Sequence, residues 1–141
     1  MWLEIPELEV LAPITGVPLE NGVWNVNWLA DQAGWLEGSS FPSANGNSVL
    51  TGHVWNADNT PGIFNGLNEL LYGDQILIHT FGEIYIYEVR ERSVTRPDAV
   101  DEMLTHYDTP WITLVTCKDY DEKTRDYRKR ILINAELVEI Q

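Results

Sequence analysis

Gln75-Ile-Leu-Ile-His-Thr-Phe81, then Gly82-Glu83, then Ile84-Tyr-Ile-Tyr-Glu-Val89 is the stretch from which the architecture is read. Both flanks are β-branched and aromatic runs in which residue character alternates, the period-2 signature of strands. Glycine first in a two-residue connection suits a type II′ hairpin, so the spacing predicts a β-hairpin with its loop at Gly82-Glu83. Outward from the hairpin, further strands are expected at Glu7 to Leu11, Ile14 to Val17, Ser48 to Thr51, Ile112 to Thr116 and Lys129 to Ile140. Each is bounded by Pro, Gly, Asn or charged turn residues. Helical spacing is confined to short stretches, Asn25 to Ala33, Ile63 to Leu71 and Pro97 to Leu104, the last with Pro and Asp98 at its start. Many short strands with few short helices predict an all-β fold, a closed or nearly closed β-barrel. No repeat or linker-like break divides the 141 residues, so one domain is expected over residues 1 to 141.

Composition excludes several functions. Nine Lys and Arg against 22 Asp and Glu leave a formal charge of −13. Such a surface opposes phosphate backbones, so no nucleic-acid partner is expected. One cysteine cannot close an internal disulfide or build a Cys-based zinc module. No apolar run reaches the roughly 18–20 residues of a membrane span, and the first residues lack a signal-peptide layout.

The charges are unevenly placed. Residues 1 to 89 hold eleven carboxylates and no Lys or Arg, whereas six of the nine cations fall between Lys118 and Arg130. That basic stretch follows the single Cys directly. A cation beside a thiol lowers its pKa, although a charge run is more commonly a solvated face. Cys117 ends the apolar run Ile112-Thr-Leu-Val-Thr116, a boundary position that suits a reactive thiol as well as a structural one. His53 ends Ser48-Val-Leu-Thr-Gly52, where a strand would deliver the imidazole to a loop mouth. His79, inside an alternating strand, and His106, in a polar turn, read as structural. In Arg128-Lys129-Arg130, alternation puts the two arginines on one strand face.

These residues together resemble the sortases, the cysteine transpeptidases of bacterial cell surfaces. Thr113-Leu-Val-Thr-Cys117 fits the family's Thr-Leu-X-Thr-Cys signature, Thr51-Gly52-His53 stands where the family carries its His, and Lys129-Arg130 stands where it carries its Arg. The loop Cys117-Lys-Asp-Tyr-Asp-Glu-Lys-Thr124 is similar to that of class A sortases. The resemblance runs from Ile5-Pro6 to Val138 and implies a closed barrel of about eight strands. It implies Cys117 as nucleophile, His53 as proton donor and acceptor, and Arg130, with Arg128 as the other candidate, as the oxyanion partner. Thr116 would add a hydroxyl or N–H to that oxygen. Val100, Met103 and Leu104 would wall a Leu-Pro pocket in the segment Val94 to Trp111.

The implied reaction cleaves a Leu-Pro-X-Thr-Gly-like sorting signal through a thioacyl-enzyme. The protein is then passed to an amine, a peptidoglycan precursor or a pilin lysine, at the extracellular face of the bacterial membrane. Sortases are normally tethered by an N-terminal hydrophobic segment, which these 141 residues do not contain. No cofactor is expected. Some class A members bind calcium, and Asp31, Glu37, Asp101 and Glu102 are available carboxylates, but they form no spaced ligand loop and no metal site is expected. Two rival readings remain at this level: a carbohydrate-binding module, from Trp24, Trp28, Trp35 and Trp55 in an acidic, β-rich chain, and a cysteine peptidase of another fold.

Overall fold

The computed structural model describes residues 1–95, 107–116, 120–121, 126–127 and 130–141. Its strands are β1 (Trp2–Ile5), β2 (Val10–Val17), β3 (Leu19–Glu20), β4 (Val23–Trp24), β5 (Ala33–Leu36), β6 (Gly46–Gly52), β7 (Gln75–Thr80), β8 (Glu83–Thr95), β9 (Pro110–Thr116), β10 (Tyr120–Asp121), β11 (Asp126–Tyr127) and β12 (Arg130–Ile140). Eight of them close into a barrel in the order β1-β2-β5-β6-β9-β12-β8-β7. Closure is completed by β1 pairing with β7, Trp2 opposite His79 and Leu3 opposite Ile78.

Two neighbouring pairs, β2–β5 and β6–β9, run parallel. Parallel strands cannot be joined by a tight turn, so each pair is linked by a long excursion. Residues 18–32, with the small β3–β4 ribbon, form the first; the β7–β8 hairpin lies within the second. Alternation then sorts side chains. Leu50, Ile112, Leu114, Ile133 and Ala135 point into the barrel with Leu3, Ile76, Ile78 and Tyr87. From the same strands Val49, Val115 and Leu132 point outward and are covered by Leu29 and Leu36, with Trp24 and Val26 packed against them. Strand β6 is therefore buried along its whole length. On the outward face the Thr113 hydroxyl donates to Asn47 Oδ1 at 2.7 Å and accepts from Asn134 Nδ2 at 2.8 Å, knitting β6, β9 and β12 together.

The all-β barrel matches the sequence reading, and five local expectations are corrected. The hairpin exists, but Thr80 pairs with Glu83, so its loop is Phe81-Gly82. Both residues have positive φ, 54° and 72°, which makes it type I′ rather than II′. Asn25–Ala33 is not a helix but a series of turns anchored by the fully buried Leu29. Of Ile63–Leu71 only Leu67–Glu69 is helical, as one 3₁₀ turn. Glu7–Leu11 is not one strand: Pro6–Leu8 is a 3₁₀ turn, Glu9 is left-handed at φ 53°, and β2 starts at Val10. The expected helix Pro97–Leu104 lies outside the described residues, as does His106. Val94, assigned by sequence to a segment over the groove, is instead part of β8, opposite Ile131.

Candidate active site

Strands β6 and β9 are parallel neighbours with Gly52 opposite Thr116, so both run out at the same rim of the barrel. Strand β12 is antiparallel to β9 and starts at that rim with Arg130. Three sequence-distant positions thereby meet at one end of three adjacent strands: His53 directly after β6, Thr116 at the end of β9, and Arg130 opening β12. Cys117 follows Thr116 in the chain and lies outside the described residues, as do Arg128, Val100, Met103, Leu104, Asp101 and Glu102.

Thr116 is fully buried, and its hydroxyl oxygen accepts the Ile131 N–H at 2.9 Å. The bond ties the end of β9 to the residue after Arg130. Thr51, on the neighbouring strand, donates its hydroxyl to the Val115 carbonyl at 2.9 Å. Side-chain bonds across both β9 edges thus hold the strand that leads to Cys117. Arg130 itself is half-buried.

His53 is half-buried as well, and its loop is held by backbone contacts. The His53 carbonyl accepts the Phe64 N–H at 3.0 Å, while the Gly62 N–H donates to Val54 at 2.8 Å. Gly62 packs so close that a Cβ there would stand 2.1 Å from the His53 oxygen, an approach only glycine permits. Burial lowers the imidazole's pKa below its ordinary value; the Val26 carbonyl, accepting a hydrogen bond from the ring, and the Asp31 carboxylate pull it back up without cancelling that effect. His79, by contrast, lies on β7 with its ring nitrogen 2.8 Å from Glu4 Oε1, a cross-strand contact to β1 consistent with its structural reading.

The Sortase domain family model matches residues 3–138. The chain belongs to the sortase family. Sortase C-1 from Actinomyces oris superposes with a TM-score of 0.80 at 28% identity, covering 98% of this chain and 73% of that one. Sortase A from Corynebacterium diphtheriae superposes equally well, TM-score 0.80 at 26% identity, over 98% of this chain and 60% of that one. A sortase C structure from Clostridium perfringens with the C-terminal cell wall sorting motif superposes at 0.76, with 28% identity and coverage of 98% and 69%. No curated protein matches the chain by sequence. The structural neighbours span sortases of classes A, C and D rather than class A alone.

This sortase is accordingly a cysteine transpeptidase of β-barrel fold, an enzyme of the family that anchors proteins to cell walls. Neither rival reading keeps support. Of the four tryptophans behind the first, Trp24 and Trp35 are half-buried, with their indole N–H groups bonded to the Glu37 carbonyl at 2.9 Å and to Ser39 Oγ and the Ser40 carbonyl. Only Trp28 and Trp55 are exposed. Among the described residues no group of three or more His, Cys, Asp or Glu could hold a metal ion. Sequence reasoning missed three contributors to the His53 environment: the Val26 carbonyl, Asp31, weighed only as a calcium ligand, and Gly62. A backbone carbonyl leaves no trace in composition, and Pro61-Gly62 reads simply as a loop signal.

Proposed function

We propose that Cys117, His53 and Arg130 form the catalytic set of this sortase and that residues 1 to 141 make one catalytic domain. The observation that carries the reading is the β6–β9–β12 register, which supports a common rim for Gly52-His53, Thr116 and Arg130. In the first half-reaction the Cys117 thiolate attacks the Thr carbonyl of a Leu-Pro-X-Thr-Gly-like signal, and the amide C–N bond breaks as His53, in its protonated form, supplies the proton to the departing Gly amine. A thioester remains on Cys117. In the second, neutral His53 takes a proton from the incoming amine, which attacks the thioester, forms the new amide and returns the thiolate. Arg130, permanently charged and planar, hydrogen-bonds the carbonyl oxygen as negative charge develops on it.

The Thr116 hydroxyl oxygen holds the Ile131 N–H and so braces β12 beside Arg130; the proton of that hydroxyl, or the Thr116 N–H, is proposed to reach the substrate oxygen. Val100, Met103 and Leu104 are proposed to line the Leu-Pro pocket. The substrates are surface proteins with a C-terminal sorting signal, in line with the motif-bearing Clostridium perfringens sortase C. The acceptor is the amine of a peptidoglycan precursor or a pilin lysine, and sortases act at the cell surface; the proposed site of action is the extracellular face of the membrane. The steps as written need no cofactor.

Incubation with Leu-Pro-X-Thr-Gly peptides and triglycine, read by mass spectrometry, tests the assignment. The expected result is a ligated product in the wild type and none with Cys117→Ala; product from Cys117→Ala refutes it. A calcium titration that leaves rate and melting temperature unchanged accords with the cofactor-free scheme.

A further inference from the structure

The excursion between β2 and β5 carries a cleft on the barrel's flank that none of the catalytic assignments uses. It measures about 240 Å³ and is lined by Pro18, Glu20, Asn21, Val23, Asn25 and Trp28. Its walls are fixed by neighbouring contacts. Strands β3 and β4 pair Leu19 with Trp24 and Glu20 with Val23, so the ribbon turns through Asn21-Gly22 at φ 52° and 75°, the left-handed pair of a type I′ turn. Trp24 fastens the ribbon to the barrel, its indole N–H donating to the Glu37 carbonyl at 2.9 Å and its ring packed against the cluster that includes Leu29 and Leu36. Asn25 Oδ1 accepts the Asn27 N–H at 3.2 Å, which leaves Nδ2 as the group of that amide without a partner among the described residues. Trp28 precedes Leu29, whose complete burial anchors the backbone beneath an indole that stays 47% exposed.

We infer that this cleft is a subsite for one sugar ring of the glycan attached to the amine acceptor. The inference deepens the proposed transfer to a peptidoglycan precursor and rests on it. Half of the lining is apolar and half polar, which suits neither a hydrocarbon ring nor an ion. A pyranose has both characters: C–H groups on its face, weakly positive and matched to the negative face of an indole, and hydroxyls around its rim. Trp28, Pro18 and Val23 offer the first surface, while Glu20, Asn21 and Asn25 Nδ2 offer acceptors and donors for the second. Anionic ligands find no counter-charge, since residues 1 to 89 hold no Lys or Arg. At about 240 Å³ the cleft falls below the roughly 300 Å³ at which pockets for drug-sized ligands begin, and it has room for a single ring. It is one subsite on an enzyme and not a carbohydrate-binding module: of the four tryptophans raised for that reading, only Trp28 lines it. Its place suits an acceptor. Leu29, next to Trp28, packs in one cluster with Val49 and Val115, and Val115 stands two residues, about 7 Å, before Cys117. At the far end of the excursion Asp31 Oδ1 accepts Asn56 Nδ2 at 2.9 Å, a tie to the loop after His53. A linker of three extended residues spans about 10 Å and would carry an amine from this flank toward the rim.

The test compares wild type with Trp28→Ala, Asn21→Gly and Asn25→Asp, each checked for fold by circular dichroism. Asn21→Gly keeps the left-handed turn and removes only the amide; Asn25→Asp keeps the acceptor for the Asn27 N–H and removes only the donor. An N-acetylglucosamine trimer is titrated into ¹⁵N-labelled protein, with the Trp28 indole N–H assigned by its absence in Trp28→Ala. The expected result is a saturable shift of that signal, loss of the accompanying backbone shifts over residues 19 to 25 in Trp28→Ala, and binding weakened about fivefold in each asparagine variant, the worth of one hydrogen bond. Transfer of a Leu-Pro-X-Thr-Gly peptide is then compared for triglycine alone and for triglycine joined to the disaccharide-peptide of a peptidoglycan precursor. In Trp28→Ala the KM for the glycan-bearing acceptor should rise on the order of tenfold, while the KM for triglycine and kcat with either acceptor stay as in wild type. No saturable shift, an equal titration in Trp28→Ala, or an unchanged KM for the glycan-bearing acceptor in that variant overturns the inference. Failure of the wild type to use the glycan-bearing acceptor at all, with triglycine still ligated, refutes instead the peptidoglycan acceptor on which it stands.

Discussion

Gly62→Ala offers a direct probe of how His53, the proposed acid–base residue, is held, because the perturbation is one methyl group that brings no reactive group of its own. The added Cβ would lie 2.1 Å from the His53 carbonyl oxygen, 2.6 Å from its carbon and 3.0 Å from its Cβ. Ordinary contact begins at 3.4 Å, so backbone must give way by about 1.3 Å, the difference between 3.4 and 2.1. Neither partner is free to retreat: the His53 carbonyl holds the Phe64 N–H at 3.0 Å and the Gly62 N–H holds Val54 at 2.8 Å. Overpacking of this kind costs about 1–3 kcal/mol of stability. A displacement of about 1 Å at a reacting group costs on the order of 100-fold in rate. The expected outcome is therefore a folded enzyme with a melting temperature lowered by several degrees and kcat/KM reduced about 100-fold. Hydrolysis of an internally quenched sorting-signal peptide and a thermal melt read both quantities. Gly66→Ala is the control, since its added Cβ meets only the side chains of Glu69 and Leu8, at 3.2 Å. If Gly62→Ala keeps its activity within twofold of wild type, the claim that this close approach positions His53 fails.

Three further outcomes are expected. Thr116→Val leaves the Ile131 N–H without the acceptor it has at 2.9 Å; stability should fall by about 1–3 kcal/mol in urea titrations, with Thr116→Ser restoring most of it, and equal loss in both variants would contradict the assigned bond. Phe81→Asn relieves a left-handed φ of 54° at an exposed turn position that favours Asn-Gly, and should stabilise the protein by about 0.5 kcal/mol despite losing the Phe41 contact; a lower urea midpoint refutes it. Because His53 binds its proton less readily folded than unfolded, its contribution to stability is fully present above its ordinary pKa of 6.5 and lost as pH falls below 6.5 through the lower folded-state pKa. Relative to His53→Gln, the wild type should lose stability between pH 7.5 and 5.5, and a pH-independent difference counts against the depressed pKa.

The parts of the fold visible in sequence are those governed by neighbours in the chain. The β7 and β8 runs alternate because one face is buried, and alternation is local. The turn between them is not decided locally, since Phe81-Gly82 and Gly82-Glu83 are both two-residue loops; the pairing of Thr80 with Glu83 selects the former. Val26, Leu29 and Ala33 carry a helix-like spacing, yet the segment is a turn because β2 and β5 are parallel and the chain must travel back outside the barrel to join them. Ala33-Gly34-Trp35-Leu36 has little strand character of its own and is a strand because β2 and β6 pair with it on either side.

The site divides along the same line. Sequence by itself determined the chemistry on offer: one thiol after an apolar strand, an imidazole after a glycine, and a guanidinium before a third strand, since side-chain reactivity and strand ends are properties of short stretches. Only the tertiary structure decided that two of these strands run parallel in register with the third reversed beside them, and that the imidazole is half-buried, with its loop held against Gly62 and Phe64. Register and the field at a ring are set by groups distant in the chain and adjacent in space.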